Sequence, residues 1–365
     1  MSVTRVFTSD NCSPVSEPIL AAINAANSGM APSYGLDDHT VQLERVASEL
    51  FETDLKVFPV VTGTAANALA LSHIVPSYGA IYCHDAAHIM VDEAGAPEFF
   101  AGGAKLIGFP SLDGKISPPQ IQEAVDYARE MGVHHVLPGA VSVSQTTEWG
   151  AVYSLGELRA LCDMAHQHRL PVHMDGARFA NALAHLGCSP ADATWRQGVD
   201  VMSLGATKNG ALCAEAVIFF NTALARDFEQ RVKRSGHLWS KSRFLSVQLL
   251  AYFAGGLWLT HARHANAMAA ALANGLAAIH GISFLRPLEA NELFVILPEP
   301  WVKALETEGF HFYRWGRPRS DGVLIRLVAS FATQMEDVED LLTAVERTVA
   351  CYKVNHLKFP PVEEP

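Results

Sequence analysis

Two short apolar segments, each ending at a turn rich in small residues, constrain the fold of this chain most strongly. Residues 171–174 stop at Asp175 and the glycine after it, and residues 199–204 stop just before a glycine-flanked turn that contains Lys208. Short apolar runs of this kind are typical of buried parallel strands. Ligands of open α/β sheets bind beyond the carboxyl ends of such strands, so Asp175 and Lys208 are candidates for one crevice.

The residue types at these two positions fit a specific cofactor. A lysine between glycines can be desolvated, lose its proton readily and attack a carbonyl, whereas an aspartate there can stay ionised by facing a cation. Pyridoxal phosphate (PLP) requires this pair, a lysine for its aldehyde and a carboxylate for its pyridinium nitrogen. Arg178 adds a fork of donors for the cofactor's phenolic oxygen or a substrate carboxylate. A helix cap at Asp175 and a surface lysine at Lys208 would suit either residue alone, but they suit the pair poorly.

The order of these motifs resembles one enzyme family. Asp-Gly-Ala-Arg at 175–178, followed by Thr-Lys-Asn-Gly at 207–210, closely resembles the threonine aldolases, which are fold-type I PLP enzymes of the aspartate aminotransferase-like superfamily. The resemblance runs from Ser9 to Arg326 and is closest to the low-specificity L-threonine and L-phenylserine aldolases. It implies PLP as the cofactor and an amino acid as the substrate.

The length of the chain suits the architecture that this resemblance implies. With 365 residues, of which 49% are hydrophobic, the chain can bury a thick core or a large subunit interface. We expect an α/β fold with a mostly parallel sheet in a large PLP-binding domain, residues 1–255 including the N-terminal segment. A small C-terminal α/β domain is expected over residues 256–365.

Charge, cysteine content and hydropathy indicate the partners and the compartment. The net charge of -11 argues against nucleic acid and anionic membranes, although local arginines and backbone N–H groups can still hold an anionic ligand. Six scattered cysteines and an N-terminus without an apolar signal segment indicate free thiols in a reducing cytoplasm. The uncharged run 244–257 is short for a membrane span and fits a buried or interface helix better.

A small-residue turn predicts the position of the cofactor phosphate. A strand over 56–61 and a helix over 64–75 meet at this turn, where free N–H groups and the positive end of the helix dipole suit an anion. We expect Gly63, Thr64 and Ala65 to bind the phosphate. The chain carries neither a G-x-x-x-x-G-K-[ST] loop nor a strand-linked G-x-G-x-x-G motif, so a nucleotide cofactor lacks support.

Residues 226–243 form a basic segment that allows two interpretations. A basic helical face exposed to solvent is one of them. The resemblance favours the other, in which a basic residue reaches the phosphate, also across a subunit interface. Lys241 is our candidate, with Lys233 and Arg243 as the alternatives.

The stretch His84-Asp85-Ala86-Ala87-His88 is similar to the H-E-x-x-H metal motif. That motif needs a helix with both histidines on one face and a third ligand, whereas this stretch follows a strand, so we expect no metal site. The resemblance instead implies that His88 stacks on the cofactor ring beside the substrate hydroxyl. Glu93 follows closely, and Glu98 fits a carboxylate of a helix turn. His88, a bound water and Glu148, at a position where some threonine aldolases have a histidine, are the candidate bases.

Three residues are candidates for binding the substrate beside Arg178. The resemblance places Ser9 and Tyr34 near it, whereas residue chemistry alone makes Ser9 a helix cap and Tyr34 a packed aromatic. Arg326 interrupts an apolar strand, and a buried arginine needs an anion. The α-carboxylate of an amino acid is a suitable bidentate partner, and an internal ion pair with an acidic residue is the alternative.

The resemblance to the threonine aldolases implies reversible PLP-dependent aldol cleavage of L-β-hydroxy-α-amino acids to glycine and an aldehyde. L-Threonine, L-allo-threonine and L-phenylserine are the expected substrates of a cytoplasmic homodimer or homotetramer with shared active sites. A β-eliminating lyase or an aminotransferase would share Lys208, Asp175 and Arg326. A metallohydrolase using His84 and His88, or a non-catalytic binding protein, suits the sequence less well.

Overall fold

The computed structural model describes residues 5–316 and 319–358, which divide into two compact units. The larger unit is Pro14–Arg263, and the smaller one comprises the described residues of Met1–Ser13 and His264–Pro365. We expected the N-terminal segment in the large domain, but it groups with the C-terminal part. The reason is backbone pairing, since the Phe7 N–H donates to the His311 carbonyl and the Phe7 carbonyl accepts from the Val328 N–H.

A sheet of seven strands forms the centre of the larger unit. In chain order these strands are β1 (Lys56–Val60), β2 (Gly79–His84), β3 (Lys105–Phe109), β4 (Leu137–Ser144), β5 (Val172–Gly176), β6 (Val201–Gly205) and β7 (Glu215–Phe219). Across the sheet the order is β1-β7-β6-β5-β4-β2-β3. Strands β6, β5, β4, β2 and β3 pair in parallel, and β7 is antiparallel to both of its neighbours. The predicted α/β class with a mostly parallel sheet is therefore confirmed.

Burial explains why these segments are strands. Every residue of β2, β5, β6 and β7 is buried, as expected of strands that are covered on both faces. The helices that accompany the sheet are α1 (Glu17–Ala26), α2 (Asp38–Phe51), α3 (Gly63–Ile74), α4 (His88–Val91), α5 (Ala96–Phe100), α6 (Pro118–Met131), α7 (Leu155–Gln167), α8 (Phe179–Leu186), α9 (Phe228–Arg234) and α10 (Arg243–Phe253). Helix α11 (Leu257–Ala277) carries the chain into the smaller unit.

The smaller unit contains an antiparallel sheet and two further helices. Its elements are β8 (Ser283–Phe284), β9 (Glu292–Leu297), α12 (Glu299–Thr307), β10 (Tyr313–Arg314), β11 (Val323–Val328) and α13 (Met335–Lys358). The strand order is β10-β11-β9-β8. The unit has its own apolar core, which includes Phe7, Val295, Ile325 and Leu341.

The uncharged run near residue 250 is a buried helix, as predicted. Most of its apolar side chains in α10 lie in the core of the larger unit, where Tyr252 and Phe253 contact Trp258. Among the described residues, no helix is both long and apolar enough to cross a membrane.

Candidate active site

Asp175 and Lys208 lie at the ends of two neighbouring strands of the larger sheet. Asp175 is the fourth residue of β5 and pairs with Ser203 of β6. Lys208 lies in a single 3-10 turn, Thr207–Asn209, directly after β6. Because β5 and β6 are parallel, both residues stand at the carboxyl ends of their strands, where the sequence placed them.

Close packing of the two strand ends fixes the start of the lysine turn. A Cβ on Gly205 would lie 2.7 Å from the Cα and from the carbonyl oxygen of Ala177, so only glycine fits there. The buried Glu215 accepts from the backbone N–H groups of Ala206 (3.1 Å) and Thr207 (3.3 Å). Glu215 therefore serves the backbone, and burial raises its pKa to about 7 although the Thr207 hydrogen bonds and the Lys208 charge oppose that shift.

The Asp175 carboxylate is buried and held in one orientation by two donors. Its Oδ1 accepts from the Ala177 N–H at 3.0 Å, and its Oδ2 accepts from Asn67 Nδ2 at 2.8 Å. Hydrogen bonds of this kind stabilise a negative charge. Sequence reasoning missed Asn67, although a single amide inside the apolar helix α3 was a detectable signal.

The same amide connects Asp175 to His88. Asn67 Nδ2 also donates to Glu93 Oε1 at 2.8 Å, and that oxygen lies 2.8 Å from His88 Nδ1. The hydrogen bond with Glu93 raises the pKa of His88, and partial burial works against this. Burial raises the pKa of Glu93, whereas its hydrogen bonds with His88 and Asn67 lower it. Lys208 also acts on His88, since its positive charge lowers the pKa of the imidazole.

Glu148 lies in the turn after β4 and contacts the backbone of His88. Its Oε1 accepts from the His88 N–H at 2.7 Å and from Ser144 Oγ at 2.7 Å. Its Oε2 is shielded from solvent and forms no hydrogen bond within residues 5–316 and 319–358. Burial of the carboxyl group raises the pKa of Glu148 to about 7, so the group can change its protonation state near neutral pH.

The small-residue turn that we expect to bind the phosphate lies at the start of helix α3. One of its three predicted phosphate-binding residues, Ala65, has its N–H already engaged. Thr62 is the N-cap, and its Oγ1 accepts from the Ala65 N–H at 3.1 Å, so this donor is already engaged. A Cβ on Gly63 would meet no atom within 4 Å, which leaves open space in front of the helix N-terminus. Gly63 and Thr64 thus head a helix end that suits an anion better than Ala65 does.

Arg178, Tyr34 and Lys241 lie at other positions of the larger unit. Arg178 is half-buried and is the N-cap of α8, three residues beyond Asp175. Tyr34 is 47% exposed, so its interpretation as a packed aromatic was wrong. Its N–H donates to the Ser240 carbonyl, and Lys233 Nζ lies 4.5 Å from the centre of its ring. The exposed Lys241 follows Ser240, so the structure brings the turn of Tyr34 to the basic segment.

The smaller unit holds Arg326 and the segment of Ser9 together. Arg326 Nη2 donates to the Thr8 carbonyl at 3.2 Å, and its guanidinium lies 4.3 Å from the centre of the Trp315 ring. Its Nη1 is 3.6 Å from Glu292 Oε1, so the internal ion pair that the sequence left open is present, at a long distance. Ser9 caps the turn Asp10–Cys12 by accepting from the Asn11 N–H.

The two histidines of the metal-like motif have different partners. His84 Nδ1 accepts from the Ala86 N–H at 3.0 Å, and its Nε2 lies 3.3 Å from the Ser111 carbonyl oxygen. His88 turns instead to Glu93. In the described parts of the chain, no three His, Cys, Asp or Glu side chains are grouped to hold a metal ion.

The arrangement in the larger unit fits PLP. A buried carboxylate with fixed orientation, a lysine at the next strand end and open space before a helix N-terminus match the three ends of this cofactor. The fit rests on residues of one unit and on the parallel pairing of β5 with β6.

Comparisons with known proteins agree with this fit. The family model described as beta-eliminating lyase matches residues 7–299. A low specificity L-threonine aldolase of a Pseudomonas species is 44% identical over 310 residues, which are 85% of this chain and 89% of that protein. Its counterpart in Pseudomonas aeruginosa is 41% identical over 338 residues, 93% of this chain and 96% of that protein.

A solved structure supports the same assignment. The threonine aldolase of Leishmania major superposes with a TM-score of 0.89 at 30% identity, covering 94% of this chain and 99% of that one. The predicted fold-type I architecture is therefore confirmed. The chain belongs to the PLP-dependent beta-eliminating lyase family, among its low-specificity L-threonine aldolases.

Proposed function

We propose that this enzyme cleaves L-β-hydroxy-α-amino acids reversibly to glycine and an aldehyde, with L-threonine, L-allo-threonine and L-phenylserine as substrates. The observation that carries the proposal is the hydrogen-bonded connection from the Asp175 carboxylate to the His88 imidazole, next to the Lys208 turn. It combines the residues for PLP with a group that can accept a proton. The names of the relatives support the aldol class of reaction.

The larger unit supplies the residues for the cofactor. When bound, PLP accepts the electron pair of the broken substrate bond into its ring. Lys208 would bind the aldehyde of the cofactor, and Asp175 would pair with its ring nitrogen. His88 would stack on the ring, and Arg178 would donate to the phenolic oxygen. Gly63 and Thr64 bind the phosphate with Lys241, and Ala65 contributes less because Thr62 engages its N–H.

The substrate roles fall to four residues that the sequence singled out. We assign the substrate carboxylate to Arg326, Ser9 and Arg178, and a position near the substrate to Tyr34. The Arg326 guanidinium supports the carboxylate role, because its side chain is only 12% exposed and a guanidinium can bind a carboxylate bidentately.

His88 is the better candidate for the base that removes the β-hydroxyl proton. Its side chain is 39% exposed, and only its Nδ1 is held by the buried Glu93. Glu148 instead holds the His88 backbone through Oε1, and its other carboxyl oxygen is shielded from solvent. Glu148 therefore supports the position of His88. A general base increases the rate of a proton transfer of this type by about 10²–10⁴-fold.

β-Elimination is the second candidate reaction, because the matching family model carries that description. It uses the same lysine and aspartate but breaks a bond at Cβ to a leaving group, and it yields a keto acid and ammonia. An aminotransferase would also form a keto acid, whereas aldol cleavage yields an aldehyde and glycine. Product analysis separates the three reactions.

The proposal extends to a cytoplasmic homodimer or homotetramer with shared active sites. All six cysteines carry free thiols, which supports a reducing compartment. Exposed apolar residues on the larger unit support a subunit interface, namely Met30, Tyr34, Leu36, Val41 and Phe99. The mass of the PLP-loaded protein by light scattering decides between monomer, dimer and tetramer.

Aldehyde release by Lys208→Ala tests the proposed function. The purified protein is loaded with PLP and given L-threonine or L-phenylserine, and acetaldehyde or benzaldehyde and glycine are measured. We expect release by the wild type and by Lys105→Ala, an exposed lysine of β3, and none by Lys208→Ala. A wild type that binds PLP but forms keto acids, or full release by Lys208→Ala, would contradict the proposal.

A further inference from the structure

One amide in the larger unit holds two carboxylates and, through them, an imidazole. Asn67 Nδ2 is 2.8 Å from Asp175 Oδ2 and 2.8 Å from Glu93 Oε1, and this Glu93 oxygen is 2.8 Å from His88 Nδ1. We call Asp175, Asn67, Glu93 and His88 the Asn67 network. Glu93 lies outside the residues that the sequence assigned to cofactor or substrate.

The orientation of the Asn67 amide follows from its two acceptors. Only the nitrogen of an amide carries hydrogens, so the atom that faces two carboxylate oxygens has to be Nδ2. Asn67 is buried, and its Oδ1 forms no hydrogen bond with any residue that the structure describes. Turning the amide around would place Oδ1 against two carboxylates. Asp175 and Glu93 together therefore fix this side chain.

The network determines which nitrogen of His88 carries the hydrogen inside the protein. As a carboxylate oxygen, Glu93 Oε1 carries no hydrogen and accepts from both Asn67 Nδ2 and His88, so the hydrogen between Glu93 and His88 sits on Nδ1. The Glu93 side chain is 0% exposed, whereas that of His88 is 39% exposed. Nε2 is thus left as the nitrogen that gains and loses a proton.

The charged groups around His88 are consistent with this role. Glu93 and Asp175 favour the imidazolium, Lys208 disfavours it, and Glu148 accepts the backbone N–H of the same residue. A carboxylate that holds the far nitrogen of a histidine both fixes the tautomer and stabilises the cation that forms after proton transfer.

We propose that Asn67 and Glu93 are positioning residues that keep Nδ1 of His88 protonated, so that Nε2 takes the β-hydroxyl proton of the substrate. The proton moves from the hydroxyl oxygen to Nε2. The hydrogen on Nδ1 stays on that nitrogen and remains hydrogen-bonded to Glu93. The transfer of the β-hydroxyl proton to His88 rests on the proposed function, whereas the tautomer of His88 does not depend on it. Asn67 also links the imidazole to the carboxylate assigned to the cofactor ring, so one amide aligns both groups.

The tautomer is measured by ¹⁵N NMR on the full-length, PLP-loaded protein with labelled histidine. The His88 signals are assigned by their loss in His88→Asn, and spectra are recorded above the imidazole pKa. We expect the Nδ1–H tautomer in the wild type and in Glu93→Gln, because Asn67 keeps the glutamine oxygen toward His88. In the double variant Asn67→Ser, Glu93→Gln the glutamine can turn its NH₂ group, and we expect the Nε2–H form to appear.

Glu93→Leu removes the acceptor and should also release the tautomer, whereas Glu98→Gln, a half-buried acid of α5 outside the network, should leave it unchanged. An Nε2–H tautomer in the wild type would overturn the proposal. So would an unchanged tautomer in both the double variant and Glu93→Leu.

Steady-state kinetics provide the second measurement. We expect kcat to fall about 100-fold in Glu93→Leu and in the double variant, with a much smaller loss in Glu93→Gln and no loss in Glu98→Gln. If the wild type releases no aldehyde, the proposed function fails while the NMR measurement still judges the network. If aldehyde is released and Glu93→Leu matches Glu93→Gln in both measurements, the network proposal alone fails.

Discussion

At the scale of single residues, the active-site edge of the larger unit places several acidic groups where burial acts against their charge. Glu148 and Glu215 have pKa values raised to about 7, and both hold backbone N–H groups. A raised pKa of a carboxyl group means that the folded protein binds a proton which the unfolded chain releases. Such a group therefore links the stability of the fold to pH.

The Glu148→Gln variant tests this link. The stabilising contribution of Glu148 is fully present below its usual pKa of 4.5 and is lost as the pH rises through about 7. Glutamine carries no charge, so we expect the wild type to lose stability relative to the variant between pH 5 and pH 8, by at most about 3 kcal/mol. Thermal denaturation at constant PLP concentration measures this difference in stability at each pH. Glu130→Gln, on the surface of α6, is the control. Parallel curves of stability against pH for wild type and Glu148→Gln would show that the pKa of Glu148 is not raised.

At the scale of elements, the sequence predicted the strands of the larger sheet better than it predicted the hydrogen bonds between side chains. Short apolar runs revealed β5 and β6 because strands buried on both faces carry little polar sequence. The link from Asn67 to Asp175 joins residues of distant segments, and no local pattern encodes such a contact. The hydrogen bonds that Asn67 and Glu93 form were therefore found only in the structure.

The junction between β5 and β6 gives a prediction about a single methyl group. In Gly205→Ala the added Cβ would lie 2.7 Å from backbone atoms of Ala177, so the strand ends must separate. We expect a loss of about 1–3 kcal/mol of stability and weaker PLP binding, because the turn of Lys208 follows directly.

The matched control is Gly156→Ala in the first turn of α7, where the added Cβ would meet no atom within 4 Å. Its melting temperature should stay the same or rise slightly, since alanine restricts the unfolded chain more than glycine does. Equal effects of the two substitutions would contradict the account of the junction.

At the scale of the whole molecule, the sequence predicted two α/β parts and assigned the N-terminal segment to the larger one, whereas in the structure this segment groups with the C-terminal part. The pairing of Phe7 with residues near positions 311 and 328 spans most of the chain, and apolar patterning alone does not reveal it. This pairing brings the segment of Ser9 to Arg326 within the smaller unit. The roles of both residues toward substrate remain predictions.

We propose that Lys208 is the residue that binds PLP. The most direct test of this proposal is borohydride reduction of the PLP-loaded protein, followed by digestion and mass spectrometry. We predict a reduced pyridoxyl group on the peptide that contains Lys208, and its absence from that peptide after denaturation before loading. A pyridoxyl group on another lysine, such as Lys233 or Lys241, with Lys208 unmodified, would contradict the assignment of the site.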